Sequence, residues 1–462
     1  MTLAQKLSNY IVGLTYESLP SKVIHEIKRR VIDSLACAYG AYHSRPGRVA
    51  RELAKTVISE KSTIVLGTSY KTSPEMAAFA NGTLIRFLDY NDTYLSKEPA
   101  HPSDNIAVAL AIAEAEHLSG EDLIAAIVLA YEIQCRLCDA ASLRTRGWDH
   151  VTYGAFSATG AASKLYKLDE EQTRNALAIA ATTNNALRQT RSGEISDWKA
   201  CAFANVAKNS VFAAELAKYG LTGPHKIFEG KFGFWNEVSG KFDLDVDSFG
   251  GVGKSFKIMD TDIKYHQAEY HAQSAIQAVL ELRENEQIRD LVDEGKIDDI
   301  ASIVITTFEA AKSIIADDPK KWHPTTRETA DHSMPYLIAV ALIDGNVGPE
   351  QFTDQRIRDP VLHELMEKIS VVEDLTFTTL YPGTIPNEIE IMLKDGKTFK
   401  ERVDTPKGHS RNPMTDSEVE EKFYTLTNDI LPEEVAQKIV SSIWKLDELD
   451  VANLPFNHII ES

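Results

Sequence analysis

The chain of 462 residues lacks an excess of positive charge, has few cysteines and contains no long apolar run. Each shortage removes a class of function. Lysine and arginine number 49 against 68 aspartates and glutamates, for a formal charge of -19. Nucleic acids and anionic membranes call for a basic surface, so neither is an expected partner. A carboxylate ligand would need a local cluster of cations instead of the overall field. The most apolar segment, LIAAIVLAY at 123–131, runs into Glu132, far short of the roughly 18 residues of a spanning helix. The opening MTLAQKLSNYIVGL is too polar for a signal peptide, and a cytoplasmic location is expected.

Four cysteines, Cys37, Cys135, Cys138 and Cys201, are too few to staple a chain of this length. Reduced thiols are expected. Cys135 and Cys138 form a C-x-x-C of the kind an iron-sulfur hydratase uses, but they sit in LAYEIQCRLCDAAS. That is a helical pattern without the glycine and proline turns that present cluster ligands, which favours core packing. GGVGKS at 250–255 has Ser248 where a phosphate-binding loop needs its first glycine. His266 and His271 are five apart, not the four that set two metal ligands on one helical face, so capping and packing are their expected roles. Neither a metal nor a cofactor is expected.

What is present is an ordered globular composition, 43% hydrophobic and 25% charged, without repeats or low-complexity tracts. At about 150 residues per domain, two or three domains follow. From Ala4 to about Tyr219 the apolar periodicity is helical, as in SKVIHEIKRRVIDSLACAYGAY, where Val23, Ile24, Ile27, Val31 and Ile32 keep i, i+3, i+4 spacing. STIVLG is the one strand candidate there. Beyond Lys264, a helix over 268–282 precedes alternating segments, IASIVITTF and NEIEIMLKDGKTFKERV, the second a hairpin about Asp395-Gly396. Helices return in DSEVEEKFYTLTN and PEEVAQKIVSSIWKL. The fold is therefore expected to be mainly α with an inserted α+β domain: a discontinuous, all-helical domain over 1–265 and 402–462, and a smaller α+β domain over 266–401.

Chemistry concentrates in four polar stretches. RFLDYNDTYLSKEPAHPSDN, 86–105, separates two alanine-rich helical segments, and a plain connector needs only about four to six residues. Pro102, Ser103 and Asp104 read as helix-start residues, which sets His101 just before IAVALAIAEAEHL. A helix N-terminus disfavours imidazolium and so favours a neutral, proton-exchanging histidine. LRQTRSGEISDWKACAFAN carries Arg188, Arg191 and Lys199, with Ser196 or Asp197 as expected helix cap and Lys199 in the first turn, where an anion is favoured. KWHPTTRETADHSMPY gathers Lys321, His323, Arg327 and His332, and GHSRNPM adds Arg411. Arginine forks suit carboxylates, and together these stretches suggest an anion pocket.

In this order DYNDT with a following HP, DWKACAFAN, KYHQAEYHAQSA, RETADHSMPY and GHSRNPM resemble the motifs of the MmgE/PrpD family. The resemblance implies enzymes acting on small polycarboxylates without a metal: 2-methylcitrate dehydratases, cis-aconitate decarboxylases and an iminodisuccinate epimerase. It further implies a helical domain, a smaller α+β lid and a homodimer. By the same resemblance the catalytic set falls on Asp89, Thr93, His101, Lys199 and Glu269, with Arg188, Arg191, Arg327 and Arg411 as substrate-binding cations. Decarboxylase-like members have histidine where this chain has Glu269, and the AEYH seen here matches the dehydratases. Dehydration of a small tricarboxylate is the expected reaction, with Glu269 expected to be carried to the Asp89 and His101 loop by the lid.

Overall fold

A computed structural model describes residues 1–193 and 195–460. The chain forms two compact units, one of Met1–Thr261 together with the chain from Thr415 onward, the other of Asp262–Met414. The second unit therefore begins four residues before the expected 266 and ends thirteen after the expected 401.

The first unit is built from helices packed through small residues. Ile106–Ala115 is buried at all ten positions, as its lack of any polar face requires. It stops at Ala115, short of the expected 118, because His117 takes a left-handed backbone with φ 53°. The helices Pro74–Phe87 and Trp198–Lys218 pack extensively on one another. A Cβ at Gly82 would stand 3.3 Å from the Ala204 Cβ and 3.4 Å from the Ala107 Cβ, so glycine sets this close approach. Ser21–Gly40 departs from a simple amphipathic pattern. Its apolar stripe is there, but every position from Ile27 to Tyr39 is buried, Arg29, Arg30 and Asp33 included. The C-terminal helices Asp416–Thr427 and Glu433–Trp444 belong to this unit, the first packing on Ser21–Gly40.

The first unit is not purely helical. Strands β1 (Thr63–Ile64) and β2 (Lys71–Thr72) pair antiparallel. The STIVLG candidate yields only these two residues, for the chain turns back at Gly67, φ 75°, where the Thr68 N–H donates to the Val65 carbonyl at 3.1 Å; the Glu114 carboxylate takes the Ile64 N–H at 2.9 Å and the Thr63 hydroxyl at 2.6 Å.

The second unit carries β3 (Ile300–Thr307), β4 (Ile369–Glu373), β5 (Asn387–Leu393) and β6 (Thr398–Val403) in the order β4-β3-β5-β6. β3 and β4 run parallel and the other neighbours antiparallel. The β5–β6 hairpin turns at Gly396, whose φ of 87° excludes most side chains. The helix expected from 268 starts at Gln273, after a 3-10 turn Tyr270–Ala272. The delay comes from Glu269, which caps that turn by accepting the His271 N–H. Among the described residues no helix is long and apolar enough to cross a membrane.

Candidate functional site

In the first unit the polar loop after Phe87 is a small hairpin closed by reciprocal hydrogen bonds between Tyr94 and Ala100, at 2.9 and 3.0 Å. Thr93 is buried within it and donates to the Ala100 carbonyl at 3.3 Å. His101 does not abut the long helix directly: a 3-10 turn, Pro102–Asn105, intervenes before Ile106. This turn is fastened from the loop side, since Asp92 accepts the Ser103 N–H at 3.0 Å and Asn91 donates to Ser103 and Asp104. Asp89 enters the loop in a left-handed conformation with φ 52°.

These residues make a continuous row. Lys199 donates to Asp89 Oδ2 at 3.1 Å, Arg86 donates to Asp89 Oδ1, and the second Arg86 nitrogen donates to His101 Nε2 at 3.0 Å. On its other side the imidazole meets the Asp92 backbone carbonyl, 2.7 Å from Nδ1. A carbonyl only accepts, so Nδ1 carries the proton and the Nε2 lone pair faces Arg86. That is the neutral tautomer. Asp89, flanked by two cations and 3% exposed, is held as the carboxylate.

The row continues at His150, which lies outside the four polar stretches. His150 packs edge-on against His101, with ring centroids 5.6 Å apart. Its Nδ1 lies 3.1 Å from Asp149 Oδ1, and Arg191 donates to the other Asp149 oxygen at 2.9 Å. Burial, with Arg191, Arg86 and Arg188 opposing Asp149, pushes the His150 imidazole down to about 3. Burial would raise Asp149, but Arg191, then His150 and the hydrogen bonds around it, hold its carboxyl well below the usual range. A signal did exist: His150 opens a 3-10 turn, His150–Tyr153, leading into the small-residue helix Gly154–Leu165, the arrangement that drew notice to His101. Arg188 lies on the same 3-10 turn as Arg191, half-buried beside Asp149.

Lys199 is the second residue of Trp198–Lys218. The expected side-chain cap is absent, since Asp197 makes no capping hydrogen bond and its carboxylate lies 3.5 Å from Arg45. The Ser196 backbone carbonyl instead receives the Lys199 N–H at 3.0 Å. Glu194 of the same stretch lies outside the described residues. In all, Arg86, Arg188, Arg191 and Lys199 gather around Asp89 and Asp149, a local cationic excess in a strongly acidic chain.

The second unit has a group of its own. Glu269 Oε1 lies 2.7 Å from His271 Nδ1, and His271 Nε2 lies 3.2 Å from the Tyr381 hydroxyl. His271 is thus a carboxylate-oriented imidazole, whereas His266 is a packed histidine that burial pushes down to about 4. Burial would raise Glu269, but His271 first, with His332 and Lys264, holds it at about 2. The Glu269 N–H donates to the Asp331 carbonyl at 2.9 Å, Asp331 pairs with His332, and Arg327 lies 4.0 Å from Asp331 Oδ2. Arg411 is exposed, its guanidinium beside Gly383 in the turn that follows Tyr381. All four cysteines are free and buried.

Residues 5–247 match the MmgE/PrpD N-terminal domain and residues 266–448 the MmgE/PrpD C-terminal domain. The C-terminal match runs past Met414 into helices of the first compact unit. The chain is 30% identical to a mitochondrial 2-methylcitrate dehydratase of Yarrowia lipolytica, covering 99% of this chain and 89% of that protein. It is 33% identical to a probable 2-methylcitrate dehydratase of Saccharomyces cerevisiae, over 82% and 76%. It is also 27% identical to the cis-aconitate decarboxylase of Homo sapiens, over 97% and 92%.

Proposed function

We propose that this chain, which belongs to the MmgE/PrpD family, is a hydro-lyase that dehydrates 2-methylcitrate, or a close citrate analogue, to the corresponding cis-aconitate. The observation that carries this reading is the unbroken Lys199, Asp89, Arg86, His101 row. In the elimination a C–H and a C–OH bond break on neighbouring carbons and a C=C bond forms. A base must take the proton, an acid must protonate the departing hydroxyl, and cations must hold the carboxylates and the charge that develops beside them.

His101 is the proton-transfer group in this reading, because the Asp92 carbonyl at Nδ1 leaves Nε2 unprotonated, and Nε2 takes a proton when Arg86 turns from it to a substrate carboxylate. Arg86 and Lys199 are substrate cations held apart and aimed by Asp89. Asp89 fixes the position of the pair before binding, its own charge offsetting part of their attraction for a carboxylate. Arg188 and Arg191 extend the positive charge. Within the second unit, Glu269 is proposed to act through His271, with Arg327 and Arg411 as its substrate-binding cations. Thr93 serves by holding the hairpin. Neither a metal nor a cofactor enters the reading: both Asp89 oxygens are already engaged by cations of the chain itself. The compartment proposed is the cytoplasm, which suits four free thiols. A homodimer is proposed as the working form, in keeping with Trp198, Phe212 and Tyr219 standing exposed at one long helix.

A second reading, decarboxylation of cis-aconitate, is favoured by the similarity to the human decarboxylase. Epimerisation of iminodisuccinate uses the same carbanion beside a carboxylate. Purified protein incubated with 2-methylcitrate, citrate, cis-aconitate and iminodisuccinate separates them, with unsaturated product, CO2 and epimer followed individually. Unsaturated product from 2-methylcitrate, undiminished by EDTA, is expected. Release of CO2 from cis-aconitate without dehydration of either citrate would replace the leading reading by the second.

A further inference from the structure

The Asp89 carboxylate reaches Lys199 and Arg86 from a backbone bend that a non-glycine residue rarely adopts, with φ 52°. Such a bend persists only where its surroundings over-determine it. The residue that follows shows how. The Tyr90 carbonyl accepts a hydrogen bond from the Lys422 ammonium at 2.8 Å, and the same ammonium lies over the Tyr90 ring, 3.6 Å from its centroid. Lys422 belongs to Asp416–Thr427, and its charge is met by Asp33 of Ser21–Gly40, whose Oδ1 is 2.6 Å away. The side chains of this pair are 4% and 0% exposed.

We propose that Lys422, seated on Asp33, is a positioning residue for the Asp89 carboxylate. It acts through the Tyr90 carbonyl and ring, which it fixes from two directions, so that the bend at Asp89 has one orientation. The proposal rests on the catalytic use of Asp89 described above, and it adds to that site a residue more than three hundred positions away in sequence. A buried pair that merely fills space would need only the Asp33 contact. Here the ammonium is shared between a carboxylate and the backbone of the residue next to Asp89, and a misplacement of about 1 Å at such a site can cost a hundredfold in rate. Asp33 explains why the cation can be there at all, since an unpaired charge in this interior is strongly destabilising.

The test uses the full-length chain and four variants, two of them in an Asp89→Asn background. Lys422→Met alone leaves Asp33 uncompensated, so Asp33→Asn/Lys422→Met removes both charges together and Lys422→Arg keeps a cation and its donors. Crystal structures come first, because they do not depend on which substrate is right. In Asp33→Asn/Lys422→Met the Asp89 backbone is expected to leave the left-handed region and the Lys199 contact to lengthen. An unchanged Asp89 geometry in that variant would overturn the proposal. Turnover of 2-methylcitrate then reads the consequence: kcat is expected to fall by about tenfold to a hundredfold, with KM nearly constant, and Lys422→Arg to recover most of it. In an Asp89→Asn background the same charge removal should cost no further kcat, although losses of melting temperature still add. Fully additive kcat losses would overturn the proposal as well. Absence of dehydration by the unaltered chain would instead sink the functional reading, and the crystallographic arm would still decide the role of Lys422.

Discussion

Lys199 and Asp89, 110 positions apart, form a buried ion pair with Nζ 3.1 Å from Oδ2. The lysine comes from the first turn of Trp198–Lys218 and the aspartate from the loop that ends Pro74–Phe87, two helices in close contact. Because Arg86 takes the other Asp89 oxygen, the site holds two cations apart around one anion.

Lys199→Met keeps the stem and removes the charge. Losing a charge-assisted contact to a carboxylate is expected to cost on the order of 1.5 to 3 kcal/mol of transition-state stabilisation, or roughly tenfold to over a hundredfold in kcat/KM. Asp89 retains Arg86, so the variant is expected to fold. Kinetics with 2-methylcitrate that match the unaltered chain would take Lys199 out of the site.

His101→Asn retains a polar group of similar reach without acid or base function. If His101 moves the proton, kcat should fall by about 10²- to 10⁴-fold while ligand affinity and melting temperature change little. A histidine that only joins the loop to its 3-10 turn predicts the reverse, since asparagine is a good residue before a helical turn. Steady-state kinetics and a melting curve on the one variant choose between these.

Glu269→Gln tests the carboxylate–imidazole pair of the second unit. A carboxylate at His271 Nδ1 accepts from the ring and orients it; a glutamine keeps a polar contact but not the charge. If this pair takes part in the reaction, kcat should fall by roughly tenfold or more while the melting temperature changes little. An unaltered kcat would leave Glu269 as the cap of its 3-10 turn and nothing more.

Much of this was legible from residue order. Helix periodicity placed Ser21–Gly40 and Ile106–Ala115, the Asp395-Gly396 pair placed the β5–β6 hairpin, and polar density between two apolar helices pointed to Asp89 and His101. What escaped has a common cause. Arg86 opens the polar stretch with no role of its own in the pattern, Arg30 and Asp33 lie in a segment marked only by its apolar stripe, and His271 is expected there to cap or pack. Apolar periodicity tells which face is buried only when the other face meets water, and Ser21–Gly40 is enclosed on all sides over its second half. The left-handed bend at Asp89 is likewise set by tertiary contacts, such as Lys422 on the Tyr90 carbonyl, that no local propensity carries.

Asp104 supplies a prediction of opposite sign to the usual behaviour of a carboxylate. It lies on the 3-10 turn after His101, 2% exposed, with one oxygen taking the Asn91 amide at 3.0 Å and the other without a hydrogen-bond partner among the described residues. Burial raises its pKa to about 7; Arg86 and Arg191 pull it down and Asp92 pushes it up. An unfolded chain ionises the same group near an ordinary ~3.9. Between these values the folded state holds a proton that the unfolded state has released, so the stabilisation is complete below about pH 4 and is lost as pH rises through 7. Asp104→Asn resembles the protonated form at every pH. Its melting temperature relative to the unaltered chain should therefore climb between pH 5 and pH 8, by a few degrees, on the order of one kcal/mol or more for a chain of this size. If instead the ionised carboxylate were needed as a partner for Arg86 and Arg191, the substitution would lower the melting temperature most at pH 8. Melting curves of both proteins at the two pH values give the sign directly, and a relative loss at pH 8 would show that Asp104 is held charged.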